Sequence, residues 1–331
     1  MRVVSWNIHW GCGKDGRIRI HAIIDVLRKL NPDVICLQEV ASNHAELEGN
    51  ANANQFRQLA GAFGGYQPVL EPTSEIYQNN MPRQFGNLLL SKYRINQVHR
   101  HLLPWPPDPN SPVGMPRGLI EVVVDAPGGK VRVLTTHLEY YSPVQRMAQV
   151  RHIKYLHWEA CERARIFQPD PSLEPPYQLG FRPGSAIYCG DFNFTPGSPD
   201  YQELIAPDDS IALPLVDAWR LKHPDIARAD RWPAWFQMAG AGGLLRLFLR
   251  DRGSRTARGG VRGAVGDRGV GPSADCAGSE LALPLRLGCA FVYRADTNWR
   301  GLDLLILASS PSPFSSLIRP ENETFRQHFN L

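Results

Sequence analysis

The stretch of sequence that decides the fold is Pro32-Asp33-Val34-Ile35-Cys36-Leu37-Gln38-Glu39-Val40. Its four consecutive apolar residues, 34–37, are typical of a strand that is buried on both faces. A helical period precedes this strand over residues 19–30, and Asn31-Pro32 ends the helix. A helix followed by a buried strand with polar Gln38 and Glu39 at its end favours a layered α/β fold.

The same alternation of short apolar runs and helical periods extends outward from this stretch to residue 222. Further strands are predicted at 2–7, 66–70, 86–90, 119–124, 131–136 and 185–190, and further helices at 44–63 and 143–167. The Pro-rich segments 104–116 and 169–183 are predicted loops. We therefore predict one domain over residues 1–235.

Composition is that of an ordinary globular protein: the chain has 331 residues, of which 43% are hydrophobic and 21% charged. No apolar run approaches the ~18 residues of a membrane span, and the first residues lack the pattern of a signal peptide. We therefore expect a cytoplasmic protein without a membrane span.

The six cysteines have no zinc-site spacing, so we expect free thiols. No pattern indicates an oligomer, and a monomer is the default expectation.

The character of the chain changes in its last third. The formal net charge of +4 arises entirely after residue 222, where 14 Arg and no Lys stand against 10 acidic residues. The neutral first two-thirds argues against a dedicated binder of polyanions. Residues 240–271 contain ten Gly and seven Arg without a helical or strand period, which predicts disorder. We therefore expect 236–331 to be a divergent, Arg/Gly-rich, largely disordered tail, either an out-of-frame product of a GC-rich gene or a true appendage.

Polar residues of ligand or acid/base type follow four of the predicted strands. These residues are Asn7, Glu39, His137 and Asp191, with Asn193 two positions beyond the last. Sites in layered α/β folds are built at the carboxyl ends of strands, so the four endings are predicted to converge on one crevice. Together they supply oxygen ligands for a hard cation, amide donors and one imidazole, without a soft ligand.

The segments that carry these residues resemble a known family in both order and spacing. Ser5-Trp6-Asn7-Ile8-His9, the stretch 32–40, Gly86-Asn87-Leu88-Leu89-Leu90-Ser91, Thr136-His137-Leu138 and Gly190-Asp191-Phe192-Asn193 look like successive motifs of the endonuclease/exonuclease/phosphatase superfamily, which includes the DNase I-like nucleases. The resemblance covers residues 1 to about 220. It implies an α/β (α+β) four-layer sandwich of two mixed, mostly antiparallel sheets flanked by helices, incomplete at the C-terminus.

The resemblance also implies an activity and a set of roles. The activity is Mg²⁺-dependent hydrolysis of phosphoesters, chiefly phosphodiesters, with Mn²⁺ as a substitute metal. Glu39, Asn7 and Asp191 would contact the metal, and Asp191 would also orient or deprotonate the attacking water. His137, Asn193 and Asn7 would donate hydrogen bonds to the phosphate. Arg117 would grip the phosphate, although it can equally be read as an exposed loop arginine. Nucleic acid, nucleotides, phospholipid head groups and sugar phosphates all remain open as substrates.

One motif of that family is missing from this sequence. The family pattern ends in a Ser-Asp-His triplet, whereas no Asp-His dipeptide occurs here, and His328 is the only histidine after His223. The segment 299–306, with Asp303, is weakly similar to the strand that precedes the triplet. The alternative prediction is therefore a catalytically impaired relative that binds a phosphate-containing ligand or another protein.

Overall fold

A computed structural model describes residues 1–13, 15–111, 113–207 and 215–218, together with the backbone of three later strands. The helices are α1 (Ile20–Leu30), α2 (Gln55–Ala62), α3 (Pro143–Ile166) and α4 (Pro199–Ile205). The first eight strands are β1 (Arg2–Asn7), β2 (Val34–Ser42), β3 (Gln67–Gln78), β4 (Met81–Ser91), β5 (Ile95–Leu102), β6 (Gly118–Ala126), β7 (Gly129–His137) and β8 (Ala186–Asp191). The last four are β9 (Val216–Asp217), β10 (Leu245–Leu249), β11 (Cys289–Tyr293) and β12 (Leu302–Leu307).

These strands form two six-stranded sheets. Sheet 1 has the order β10-β12-β1-β2-β4-β3, and sheet 2 has the order β5-β6-β7-β8-β11-β9. The pairs β1–β2, β1–β12 and β7–β8 are parallel, and the other neighbours are antiparallel. The prediction of two mixed, mostly antiparallel sheets is therefore confirmed.

Side chains alternate between two apolar layers along each central strand. On β1, Val3 belongs to the cluster between the two sheets, whereas Val4 belongs to the cluster under α1 and α2. On β8, Ile187 faces the other sheet, whereas Tyr188 packs in the cluster under α3 and α4. A sheet that is apolar on both faces must be covered on both, so the chain forms the four-layer sandwich that the resemblance implies.

The helix predicted over residues 44–63 is wrong in its first half. Helix α2 begins only at Gln55, where the Asn54 side chain accepts a hydrogen bond from the backbone N–H of Arg57 and caps the helix. Before it, His44 and Ala51 form an isolated antiparallel bridge, and Asn50 has a positive φ of 61°. Turn-forming asparagine and glycine therefore override the helical period in this segment.

Three strands lie in the tail that was predicted to be largely disordered. Strand β10 falls within residues 240–271 and pairs with β12, which in turn pairs with β1. Strand β11 lies between β8 and β9. The segment 299–306 thus overlaps a strand, in which Asp303 is level with Arg2, at the opposite end of β1 from Asn7. His328 and the rest of the tail lie outside the described residues.

The described cysteines agree with the expectation of free thiols. Cys12, Cys36, Cys161 and Cys189 are free, and Cys276 and the side chain of Cys289 lie outside the described residues. None of the described helices combines the length and the apolar character needed to cross a bilayer.

Gly190 makes the contact between β7 and β8 possible at the end nearest Asp191. Its φ is +147°, and a Cβ atom there would lie 2.0 Å from the carbonyl oxygen of Thr136. We expect Gly190→Ala to lower the free energy of unfolding by ~1–3 kcal/mol, because the two strands would have to separate. Chemical denaturation measures this loss. Gly64→Ala is the matched control, since a Cβ at Gly64 meets nothing within 4 Å; equal losses in the two variants would contradict the assignment.

A buried carboxyl group lies between β3 and β6. Glu71 is 4% exposed, and its Oε2 atom accepts a hydrogen bond of 3.1 Å from Asn87 Nδ2. The same Asn87 nitrogen lies 3.4 Å from the carbonyl oxygen of Gly118 in sheet 2. Burial raises the pKa of Glu71 to about 7, because desolvation disfavours the charged form.

The raised pKa of Glu71 predicts a pH-dependent stability difference. As the pH rises from about 4.5 to about 7, the unfolded chain loses this proton while the folded chain retains it, so the wild type loses stability. Glu71→Gln keeps a neutral side chain, and we expect its stability relative to wild type to increase by up to about 3 kcal/mol over this range. Urea unfolding at pH 5 and pH 8 measures the difference. Glu75→Gln, on an exposed part of the same strand, is the matched control; a pH-independent effect of Glu71→Gln would refute the prediction.

Candidate active site

The four strand endings selected from the sequence meet where the two sheets face each other. Asn7 ends β1 and is paired in register with Gln38 on β2, while His137 ends β7 and is paired with Asp191 on β8. The two strands within each pair are parallel, so their carboxyl ends lie at the same edge of the sheet. Strand alternation also directs these positions inward, because Val3 and Ile187, at even spacing from Asn7 and Asp191, face the opposite sheet.

A β-bulge brings Glu39 into this group. Leu37 pairs with Leu88 and Val40 pairs with Gly86, so Gln38 and Glu39 stand opposite the single residue Asn87. Glu39 is the extra residue and has a φ of +57°, which is unusual for a non-glycine side chain. Leu37 and Val40 still pack in the same outer cluster. The bulge therefore adds a carboxylate without changing the face on which the rest of β2 packs.

The amide group of Asn7 joins the two carboxylates. Its Nδ2 atom donates to Glu39 Oε1 at 2.7 Å and to Asp191 Oδ2 at 2.9 Å. Its Oδ1 atom accepts from the backbone N–H of His9 at 3.0 Å, which fixes the orientation of the amide. All three side chains are at least 95% buried. Carboxylates that are 152 residues apart in the sequence therefore converge on a single nitrogen atom.

His137 and Asn193 complete the group on the side of sheet 2. His137 Nδ1 lies 3.9 Å from Glu39 Oε1, and Nε2 lies 3.8 Å from Asp191 Oδ2, so the imidazole lies between the two carboxylates. Asn193 has a φ of +50°, and its backbone N–H donates to Asp191 Oδ1 at 3.2 Å. Its side-chain nitrogen donates to the carbonyl oxygen of Leu138 at 2.9 Å. Asn193 thus connects the ends of β7 and β8.

Gln38 connects the two sheets directly beneath this group. Its Nε2 atom donates to Thr135 Oγ1 in β7 at 2.9 Å and approaches Ser5 Oγ in β1 at 3.3 Å. The side chain is fully buried. The sequence included Gln38 in a motif but assigned it no role, since a glutamine at a strand end gives no indication of a partner 97 residues away.

The side chain of Arg117 is buried, not exposed. Only 6% of Arg117 is exposed, so its interpretation as an exposed loop arginine is wrong. Its Nε atom donates to Glu139 Oε2 at 3.3 Å, and the Glu139 carboxylate is completely buried. Glu139 follows His137 by two residues and was missed because one acidic residue after a strand is a common surface feature.

The donor chemistry of this group suits a hard divalent cation. Within the described residues, no three His, Cys, Asp or Glu side chains form a cluster that could hold a metal ion. Two carboxylates that converge on one point, beside an amide, match the small protein ligand set of Mg²⁺, which retains several waters. The two buried carboxylates repel each other; the Asn7 amide offsets part of this repulsion, and a divalent cation would offset more of it.

Several solved structures are similar to this chain. An endonuclease/exonuclease/phosphatase from Beutenbergia cavernae is 22% identical, with a TM-score of 0.41 over 66% of this chain and 55% of that one. This chain therefore spans about half the length of the Beutenbergia protein. The human Nocturnin catalytic domain with bound sulfate is 20% identical, with a TM-score of 0.43 over 66% and 71% of the two chains. A Bacteroides thetaiotaomicron mannosyl-6-phosphatase is 13% identical, with a TM-score of 0.43 over 66% and 72%. No curated protein matches in sequence.

The family comparison covers the whole candidate site. Residues 4–252 match the Endonuclease/Exonuclease/phosphatase family, which is well over half of the chain. The matched range contains Asn7, Glu39, His137, Asp191 and Asn193, and it extends beyond residue 235 into the predicted tail. With its four-layer fold and its family match, this chain belongs to the Endonuclease/Exonuclease/phosphatase family.

Proposed function

We propose that this protein hydrolyses phosphate esters, chiefly phosphodiesters, with the help of Mg²⁺. The observation that carries the proposal is the convergence of Glu39 and Asp191 on the Asn7 amide, with His137 between the two carboxylates. Enzymes of this family generally use divalent metals, and the donor set described above is compatible with one.

Glu39 would be the principal metal ligand, with Asp191 and Asn7 as further contacts. A bound Mg²⁺, or Mn²⁺ in its place, would neutralise negative charge on the phosphate oxygens and so lower the barrier to attack by water. The Asn7 nitrogen now donates to both carboxylates, so its amide would have to turn if its oxygen were to contact the metal.

The other side chains would act on the water and the phosphate. Asp191 is well oriented to accept a proton from the attacking water, because Asn7 and the Asn193 backbone fix both of its oxygens. His137 would donate a hydrogen bond to a phosphate oxygen as negative charge develops there. Asn193 already donates one side-chain N–H to Leu138, so it could offer only its second to the substrate.

The role proposed for Arg117 depends on its terminal nitrogens. In the described residues the only hydrogen bond or ion pair of its guanidinium is the one from Nε to Glu139. Among the described residues, the two terminal nitrogens therefore have no partner, and they would supply the donors that a phosphate needs. Glu139 would orient the guanidinium, so that the arginine binds the phosphate without rearrangement.

A second candidate function follows from the sequence alone. No Asp-His dipeptide occurs in the chain, and loss of a general acid/base costs ~10² to 10⁴ in rate. The protein would then bind a phosphate-containing ligand, or another protein, with little turnover.

Nucleic acid, nucleotides, phospholipid head groups and sugar phosphates are all substrate classes that this phosphate-centred site would accept.

Hydrolysis of bis-(p-nitrophenyl) phosphate tests the activity. We expect turnover that requires Mg²⁺, disappears with EDTA, and falls ~10²-fold or more in Glu39→Ala and Asp191→Ala, because each change removes a carboxylate needed for metal or water. Asp25→Ala is the control, since Asp25 is exposed on α1. Turnover that survives in Glu39→Ala, or in EDTA, would refute the assignment.

Metal binding can be measured without turnover. We expect millimolar Mg²⁺ to raise the melting temperature of the wild type and of Asp25→Ala, because a ligand that binds only the folded state stabilises it. Glu39→Ala should lose this shift. A Mg²⁺-dependent shift together with phosphate binding but no hydrolysis would favour the second candidate function, and an equal shift in Glu39→Ala would exclude Glu39 as a ligand.

A further inference from the structure

Two exposed tyrosines follow β7 immediately beside the candidate active site. Tyr140 and Tyr141 are each 45% exposed, although His137, Leu138 and Glu139 just before them are buried. Their rings are perpendicular, with centroids 5.1 Å apart. Half-exposed aromatic rings contribute little to a core, and a pair of them next to a site is a common feature of ligand-binding surfaces.

The backbone that carries these two rings is fixed from both sides. The Oε1 atom of Glu139 accepts hydrogen bonds from the backbone N–H groups of Tyr140, at 2.9 Å, and Tyr141, at 2.8 Å. Arg146 Nη1, on α3, donates to the carbonyl oxygens of Glu139 and Tyr140, each at 3.1 Å. A fully buried carboxylate and an arginine therefore hold in place a segment whose two tyrosine side chains are half exposed. Such preorganisation lowers the entropy cost of binding a ligand.

The same carboxylate connects the rings to Arg117. Oε1 of Glu139 receives the two tyrosine amides, while Oε2 receives Arg117 Nε. A group that can bind phosphate and two flat rings thus share one rigid support. Trp105 adds a third half-exposed ring nearby: a Cβ on Gly114 would lie 3.4 Å from Trp105 Nε1 and 3.7 Å from Glu139 Oε2.

We propose that Tyr140 and Tyr141 form a stacking subsite for a planar aromatic ring carried by the phosphate ester. The ring would stack on the face of one tyrosine and meet the other tyrosine edge to face, while Arg117 contacts the phosphate. A nucleobase and an aryl ester both supply such a ring, whereas a sugar phosphate does not. The inference rests on the proposed function in one respect, that the phosphate binds next to Arg117 and His137.

Ligand binding in EDTA tests the subsite without any turnover. The probes are adenosine 5′-monophosphate, phenyl phosphate and ribose 5-phosphate, each titrated by calorimetry into the full chain. Stacking on an aromatic side chain should strengthen binding of the ligands that carry a ring by roughly ten-fold or more over ribose 5-phosphate. Tighter binding of the nucleotide than of phenyl phosphate identifies a nucleobase as the preferred ring, and equal binding of the two identifies any aromatic ring.

Substitutions of the two tyrosines test whether their rings cause the preference for ligands that carry a ring. We expect Tyr140→Ala and Tyr141→Ala to lose most of the advantage of the ligands that carry a ring, while leaving the affinity for ribose 5-phosphate unchanged. Tyr140→Phe and Tyr141→Phe keep the ring and should retain the advantage. Tyr177→Ala is the matched control, because Tyr177 is 68% exposed in the loop before β8. Circular dichroism verifies that each variant is folded.

Three results would overturn the subsite: equal affinity for the three probes, no binding of any of them, or an advantage that survives in both alanine variants. Failure of the proposed hydrolysis is a separate outcome, because these titrations contain no metal and measure no product. An inactive protein that still prefers ligands with a ring through Tyr140 and Tyr141 would retain the subsite and lose the enzymatic assignment.

Discussion

The Asn7 amide, which donates to a carboxylate from each sheet, is the interaction on which the rest of this site depends. Glu39 belongs to sheet 1 and Asp191 to sheet 2, and both are buried. Two buried carboxylates repel each other, so their proximity must be stabilised by donors or by a cation. The His9 backbone orients the amide, and Gln38 joins the sheets directly below it. The amide that joins the charges on β2 and β8 therefore comes from a third strand, β1.

Three unusual backbone conformations lie at the same place. Glu39 and Asn193 have positive φ values of 57° and 50°, and Gly190 has a φ of 147° beside Asp191. A non-glycine residue in such a conformation costs about 1–3 kcal/mol and persists only where surrounding structure imposes it. Here the surrounding structure is the pairing of β2 with β4 and of β7 with β8. The local strain is compatible with a site whose side-chain directions matter more than its own stability.

The sequence predicted the parts of this architecture that arise from periodicity. Helices α1 and α3 and the central strands follow from apolar spacing, and the strand endings indicated which residues would meet. Periodicity could not predict the late start of α2, because asparagine and glycine turns decide it, nor β5, whose faces alternate between half-buried and exposed. Glu71 and Glu139 were missed because each owes its importance to burial among distant partners. Arg117 was selected, but its pairing with Glu139 depends on packing that only the folded chain reveals.

Because the site is divided between the two sheets, its geometry depends on how the sheets pack against each other. Asn7 and Glu39 belong to sheet 1, and His137 and Asp191 belong to sheet 2. The distance between these two pairs is set by the apolar layer between the sheets and by polar links such as the hydrogen bond from Gln38 to Thr135. A slight sliding or swelling of that layer would pull the reactive groups apart while every strand kept its neighbours. The proposed activity would therefore depend on how the two sheets dock, and it would be lost under mild heat or denaturant before the secondary structure melts.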